Sequence, residues 1–366
     1  MKITFPHMGN MHIAVRALME RLKLEVVPPP PISKRTFELG IKNSPEYACM
    51  PLKLNLGNFI EALEKGADTI VMAGGWGPCR FGYYAQVERD ILEGLGYKFK
   101  MIVLEAPDSR AYDLVQQLKG LGENVSFWEA VKALKYGWSK LNALELLERQ
   151  FDFYLPRARD KDRVEKIYDA AVVNIDGAIS ENEADEVVRQ AILKMGLLDL
   201  NQDQPLKIGI VGEIYTMFEP ATNFDIYRQL GRMGVEVSRT AYLTEWLNDH
   251  IMGGYIKKST RKNLIACAKP YLNYEVGGHG LETVGHTVHF ARMKYDGIIQ
   301  IGPLTCMPEI VAQSIIPSIS EQEGVPCMTL WFDELSGTAG LSTRLEAFVD
   351  MVYRQKLKGI NHKKEA

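Results

Sequence analysis

The residues best suited to chemistry are three cysteines, Cys49, Cys79 and Cys306, each in a loop that leads toward a helical stretch. A thiolate is the form of cysteine that binds metal, and a helix N-terminus lowers a thiol pKa. The Gly and Pro residues beside Cys79 and Cys306 would let backbone N–H groups come close to the sulfur atoms of a cluster. The three lie 30 and then 227 residues apart. That matches neither a zinc finger nor a ferredoxin run, both of which use close-spaced pairs. From placement alone, metal ligation and plain thiol burial both stay open. There are five cysteines in all, an odd number, which argues against a disulfide framework. Cys267 in NLIACAKPYL and Cys327 in PCMTLWF fall among apolar residues and read as core.

Other side chains accompany them. His279 sits between glycines in VGGHGLE, just before a helix, where it suits either a hydrogen bond to a metal ligand, an acidic group, or an ordinary loop. Glu213 follows an apolar strand in GEIYTMFEP and would either donate a proton or cap the next helix. Arg80, next to Cys79, would balance an anionic cluster or a phosphate. Glu309, three residues after Cys306, is expected in a helix first turn, where an acid offsets the dipole without further function. His286 and His289 share a helix face as a metal pair or as packing residues. The Gly-rich loop DELSGTAGLSTR precedes the last helix and suits an anion, but no GKS or GKT follows, so no ATP site is expected in this chain.

These residues must be held by strands and helices, and the pattern says which. Lys2–Phe5, Leu24–Val27, Thr69–Ala73 and Phe99–Leu104 read as strands; Met11–Leu22, Phe59–Lys65 and Tyr83–Leu95 read as helices. Pro28 through Pro31 form a stiff extended connection. Helical periodicity dominates from about Ser109 to Leu200, as in Phe127–Leu147 and Arg163–Asn174. Alternation resumes at Pro205, with strands Lys207–Val211, Val235–Arg239, Gly297–Ile301 and Cys327–Phe332. Their helices are Asn223–Met233, Thr244–Ile251, Thr260–Tyr271, Thr283–Met293, Glu309–Glu323 and Thr343–Gln355, before a frayed tail over Asn361–Ala366. Alternation of this kind implies parallel sheets with right-handed crossovers. The expected fold class is α/β, with two doubly wound, Rossmann-like lobes and a cleft between them that holds the site. The boundaries are 1–108 for the first lobe, 109–204 for a helical connecting segment and 205–366 for the second lobe. TIVMAGGWGPCRFG and GIIQIGPLTCMPE share a layout, an apolar strand and then a loop with a cysteine, although no sequence repeat stands out.

Composition narrows the function class. The 366 residues suit two or three domains, and 46% hydrophobic with 24% charged residues is ordinary for a soluble globular protein. A net charge of −3 gives no basic face for nucleic acid. The start lacks a signal peptide pattern and no window is apolar enough to span a membrane, so the expected location is cytoplasmic.

Five stretches, EYACMPLKLNLGNFIEAL, GGWGPCRFGYY, EVGGHGLETVG, GPLTCMPEIVAQSIIP and FDELSGTAGLSTRLEAFVD, resemble the 2-hydroxyacyl-CoA dehydratase D-component family. More closely they are similar to its acyl-CoA dehydratase activase-related branch, often labelled CoA-protein activases. The resemblance weakens across the helical middle. It implies a [4Fe-4S] cluster on Cys49, Cys79 and Cys306 with one iron open, which Glu213 could approach. It also implies a partner, an ATP-dependent [4Fe-4S] activase of the sugar kinase/Hsp70/actin superfamily, which drives low-potential electrons onto that cluster. In the dehydratases the electron passes to a 2-hydroxyacyl-CoA, so an acyl-CoA is the substrate class implied. A related branch carries a double-cubane cluster on six cysteines; five are too few here unless two subunits share one, in a homodimer or heterodimer. Three functions stay open: a reductase or dehydratase-type component, a non-catalytic electron-transfer or accessory subunit of the same system, and a structural zinc-thiolate bilobed binding protein.

Overall fold

The computed structural model describes residues 1–75, 78–105, 111–122, 124–240, 242–250, 259 and 261–365. In chain order the first part holds β1 (Lys2–Thr4), α1 (Met11–Arg21), β2 (Glu25–Val26), α2 (Lys34–Asn43), α3 (Met50–Glu64), β3 (Thr69–Ala73), α4 (Tyr84–Gly94) and β4 (Lys100–Leu104). Four helices follow: α5 (Ala111–Leu121), α6 (Phe127–Arg157), α7 (Lys161–Gly177) and α8 (Glu181–Gly196). The last part holds β5 (Leu206–Gly212), α9 (Ile214–Phe218), α10 (Pro220–Asn223), α11 (Ile226–Arg232), β6 (Val235–Arg239), α12 (Leu243–His250) and α13 (Arg261–Ala268). It closes with α14 (Gly280–Arg292), β7 (Gly297–Pro303), α15 (Met307–Glu323), β8 (Cys327–Phe332) and α16 (Thr338–Glu365), which carries helical backbone through most of the tail expected to fray.

The fold is mixed α/β with two four-stranded parallel sheets, in the orders β2-β1-β3-β4 and β6-β5-β7-β8. Two compact units form. Unit 1 is Met1–Leu146, Ala171–Val188 and Tyr242–Ser259; unit 2 is Leu147–Ala170, Arg189–Ala241 and Thr260–Ala366. The helical stretch 109–204, expected as a separate connecting segment, is divided between them.

In unit 1 the strands alternate buried side chains between two faces. Ile70 and Met72 of β3 join Leu56, Phe59 and Ile60 of α3 on one side. Val71 joins Ile3, Met19 and Leu118 on the other. Helix α3 is buried on nearly every face, Lys53, Asn55 and Asn58 included. It has no amphipathic stripe, so periodicity shows only its second half. Helix α2, unexpected from sequence, starts on a capping box between Ser33 and Thr36. It packs on α3 so closely that a side chain at Gly57 would strike the Thr36 carbonyl.

In unit 2, Ile208 and Ile210 of β5 meet Ile226 and Leu230 of α11 and Phe348 of α16. Val211 meets Phe290 of α14 on the opposite face. The Phe290 ring lies where a side chain at Gly209 would stand, which is why that strand position carries none. Arg239 of β6 is half-buried, bonded to Asp152 at 2.8 Å and to Glu148 at 3.3 Å, both on α6, and stacked on Tyr227.

Candidate functional site

The parallel strands bring the candidate residues to the carboxyl ends of the sheets, where ligands bind in open α/β folds. In unit 1, Cys49 is the N-cap of α3, with Pro51 in the first turn. Cys79 is the N-cap of a 3-10 turn, Arg80–Tyr83, that runs into α4. The two loops are tied together: the Arg80 guanidinium donates to the Tyr47 carbonyl at 2.8 Å, two residues before Cys49. The Cys49 sulfur also lies against the Tyr84 hydroxyl at the start of α4. Arg80, expected to balance an anion, thus serves at least as a clamp between the cysteine loops. Trp76 and Gly77, which complete the GGWGPC motif, lie outside the described residues.

In unit 2 the third strand again ends in a cysteine loop. Thr305 takes a left-handed conformation (φ 71°). Cys306 donates its N–H to the Pro303 carbonyl at 3.1 Å and caps α15, which has proline in its first turn. Next to it, Gly212 ends β5 at φ 140° with a side-chain position blocked by the Ile301 carbonyl, so only glycine fits. That turn lets the Glu213 N–H reach the Ile301 carbonyl at 3.0 Å. Of the two expectations for Glu213, the cap is realised. Its carboxylate accepts from the N–H groups of Tyr215 and Thr216 and from the Thr216 hydroxyl, at 2.8–2.9 Å. Burial nevertheless raises its pKa, against the pull of those bonds.

Glu309 lies in the first turn of α15, as expected, but not at the surface. It is fully buried, accepting from the Thr283 hydroxyl at 3.0 Å and the Gln300 amide at 2.9 Å. The Gln300 carbonyl in turn accepts from Thr329 at 3.0 Å. Burial, with Glu213 and Glu282 nearby, pushes the Glu309 pKa up to about 7. Unit 1 holds a comparable buried acid, Glu88 of α4 beside Asn55 of α3, raised well above the ordinary carboxylate range by burial. Neither acid had a sequence signal, since a glutamate in a helix reads as exposed.

His279 is the N-cap of α14, reached through Gly277 and Gly278, both at positive φ. Among the described residues, His286 and His289 gather with no third metal-binding donor. Burial drives the His286 imidazole down to about 3, and both rings pack toward Phe290. Cys327 packs beside Val325, and burial raises its thiol to about 11; Cys267 packs against the α14 core. Both fill the packing role expected of them. None of the five cysteines is in a disulfide.

Among the described residues, no three His, Cys, Asp or Glu side chains gather as a site for a single metal ion. Nor is any described helix long and apolar enough to cross a membrane. No protein-family model and no curated protein matches the chain.

Proposed function

We propose that this chain is an iron–sulfur protein in which Cys49, Cys79 and Cys306 ligate a [4Fe-4S] cluster. It takes low-potential electrons from an ATP-dependent [4Fe-4S] activase and reduces a substrate, the resemblance implying an acyl-CoA thioester. One observation carries the reading: Cys49 and Cys306 cap the starts of α3 and α15 and Cys79 opens the 3-10 turn that runs into α4, whereas Cys267 and Cys327 open no helix. Helix starts present uncommitted N–H groups and a positive dipole end, which favour thiolate over thiol. The donor set therefore suits a cluster, whose ligands must be deprotonated. When bound, such a cluster supplies a one-electron carrier. The chain's own part is to hold the thiolates: Arg80 pins one cysteine loop to the other in unit 1, and Pro308 and Thr305 shape the turn in unit 2.

Anaerobic purification tests this. The expected product is brown, with broad absorbance near 400 nm and ~4 irons per chain. Reduction by the partner ATPase should require ATP. A colourless protein that retains one zinc would sink the proposal.

A further inference from the structure

The two units follow the same path. Their sheets have the same strand order, with the third strand beside the first. In unit 1 the Asp68 carboxylate accepts the Lys2 N–H at 2.8 Å while the Asp68 N–H bonds the Lys2 carbonyl at 2.9 Å. In unit 2 Asp296 makes both bonds to Lys207, at 2.8 Å each. Before each aspartate, a helix ends at a left-handed residue, Gly66 (φ 95°) after α3 and Lys294 (φ 61°) after α14. Helices α3 and α14 therefore correspond, and so do their N-caps, Cys49 and His279. Cys79 and Cys306, each opening the helical segment after the third strand, correspond in the same way.

The pairs are also brought together in like manner. In unit 1, Arg80 ties the loop of Cys79 to that of Cys49. In unit 2, α14 and α15 meet at their starts. A side chain at Gly280, next to His279, would lie 2.6 Å from the carbonyl of Pro308, two residues after Cys306. The Thr283–Glu309 bond, at 3.0 Å, fastens the next turn. An imidazole is a metal ligand as competent as a thiolate, and histidine replaces cysteine on iron in some clusters.

We propose that His279 ligates the cluster that Cys306 holds, in the place where a fourth cysteine would stand by analogy with Cys49. This rests on the iron–sulfur reading above. It means that a substrate reaches that iron only by displacing the imidazole.

The test is pulsed EPR of the anaerobically reconstituted, reduced protein, with natural-abundance and ¹⁵N-labelled histidine, for wild type, His279→Asn and His279→Cys. The expected result is strong coupling to a histidine nitrogen in wild type that is absent in both variants. His279→Cys should keep its iron and shift the reduction potential downward. A wild-type cluster with no histidine coupling, or coupling that survives in His279→Asn, overturns the assignment while leaving the cluster itself in place. A wild-type protein that takes up no cluster overturns the iron–sulfur reading instead. Because the wild-type spectrum decides alone, a variant that fails to fold does not protect the idea.

Discussion

Asp68 and Asp296 hold the same post in their two sheets: each grips, by side chain and by backbone, the lysine at or next to the start of the first strand. These two hydrogen bonds tie the first strand to the third, whose carboxyl end leads in each sheet to a cysteine loop, that of Cys79 or of Cys306. Asp68→Ala and Asp296→Ala should each destabilise by roughly 0.5–1.5 kcal/mol, the ordinary net value of one hydrogen bond. Urea titration with an unchanged slope would measure it. A loss near zero at both sites would mean that the ladder bonds alone hold the register.

Glu309 gives a pH dependence with a definite sign. Its folded pKa, about 7, lies above the ordinary value of 4.5. The folded chain therefore binds this proton more tightly than the unfolded chain. The stability it confers is fully present below about pH 4.5 and is lost as pH rises through about 7. Glu309→Gln keeps the neutral shape, with an amide able to donate to Thr283 and accept from Gln300. Relative to wild type, the variant should gain stability by about 1–3 kcal/mol between pH 5 and pH 8. Urea melts at the two pH values read this directly, and an equal difference at both would contradict it.

Arg239 is a cation paired with two buried carboxylates. Removing it in Arg239→Ala strands Asp152 and Glu148 in the core, at a cost of about 3–5 kcal/mol. Asp152 already carries a pKa raised to about 6, burial outweighing the Arg239 attraction. Arg239→Met combined with Asp152→Leu and Glu148→Leu should recover most of the loss. Thermal melts of the single and triple variants settle the point, and equal melting temperatures would argue against it.

The cysteines divide into two sets by position. Cys49→Ser, Cys79→Ser and Cys306→Ser should each abolish the iron content of the anaerobically purified protein. Cys267→Ser and Cys327→Ser, which touch only packing, should leave it unchanged. If Cys267→Ser alone bleaches the protein, the ligand set is wrong.

Much of this architecture is legible in the amino acids. Thr69–Ala73, Val235–Arg239 and Cys327–Phe332 are found where the apolar runs place them, since Gly, Pro or charged residues close each run. Helix α3 is half-hidden because Lys53, Asn55 and Asn58 are polar letters in buried positions. Helix α2 is hidden because backbone approaches at Gly40 and Gly57, rather than an apolar stripe, hold it in place. The recurrence of the two units escapes inspection for a related reason. It is carried by what Asp68 and Asp296 bond to, by left-handed turns at Gly66 and Lys294, and by a cysteine matched to a histidine. None of these is a matching run of residues. Glu309 and Glu88 were illegible as buried acids because their neighbours come from other helices and strands.

The chain passes between its two units five times, and unit 1 takes its last segment from Tyr242–Ser259. During synthesis, then, the first sheet can pair its strands early, but its unit is finished only when residue 259 has left the ribosome. By that point β5 and β6 have already been made. The completion of the first unit therefore overlaps in time with the making of the second.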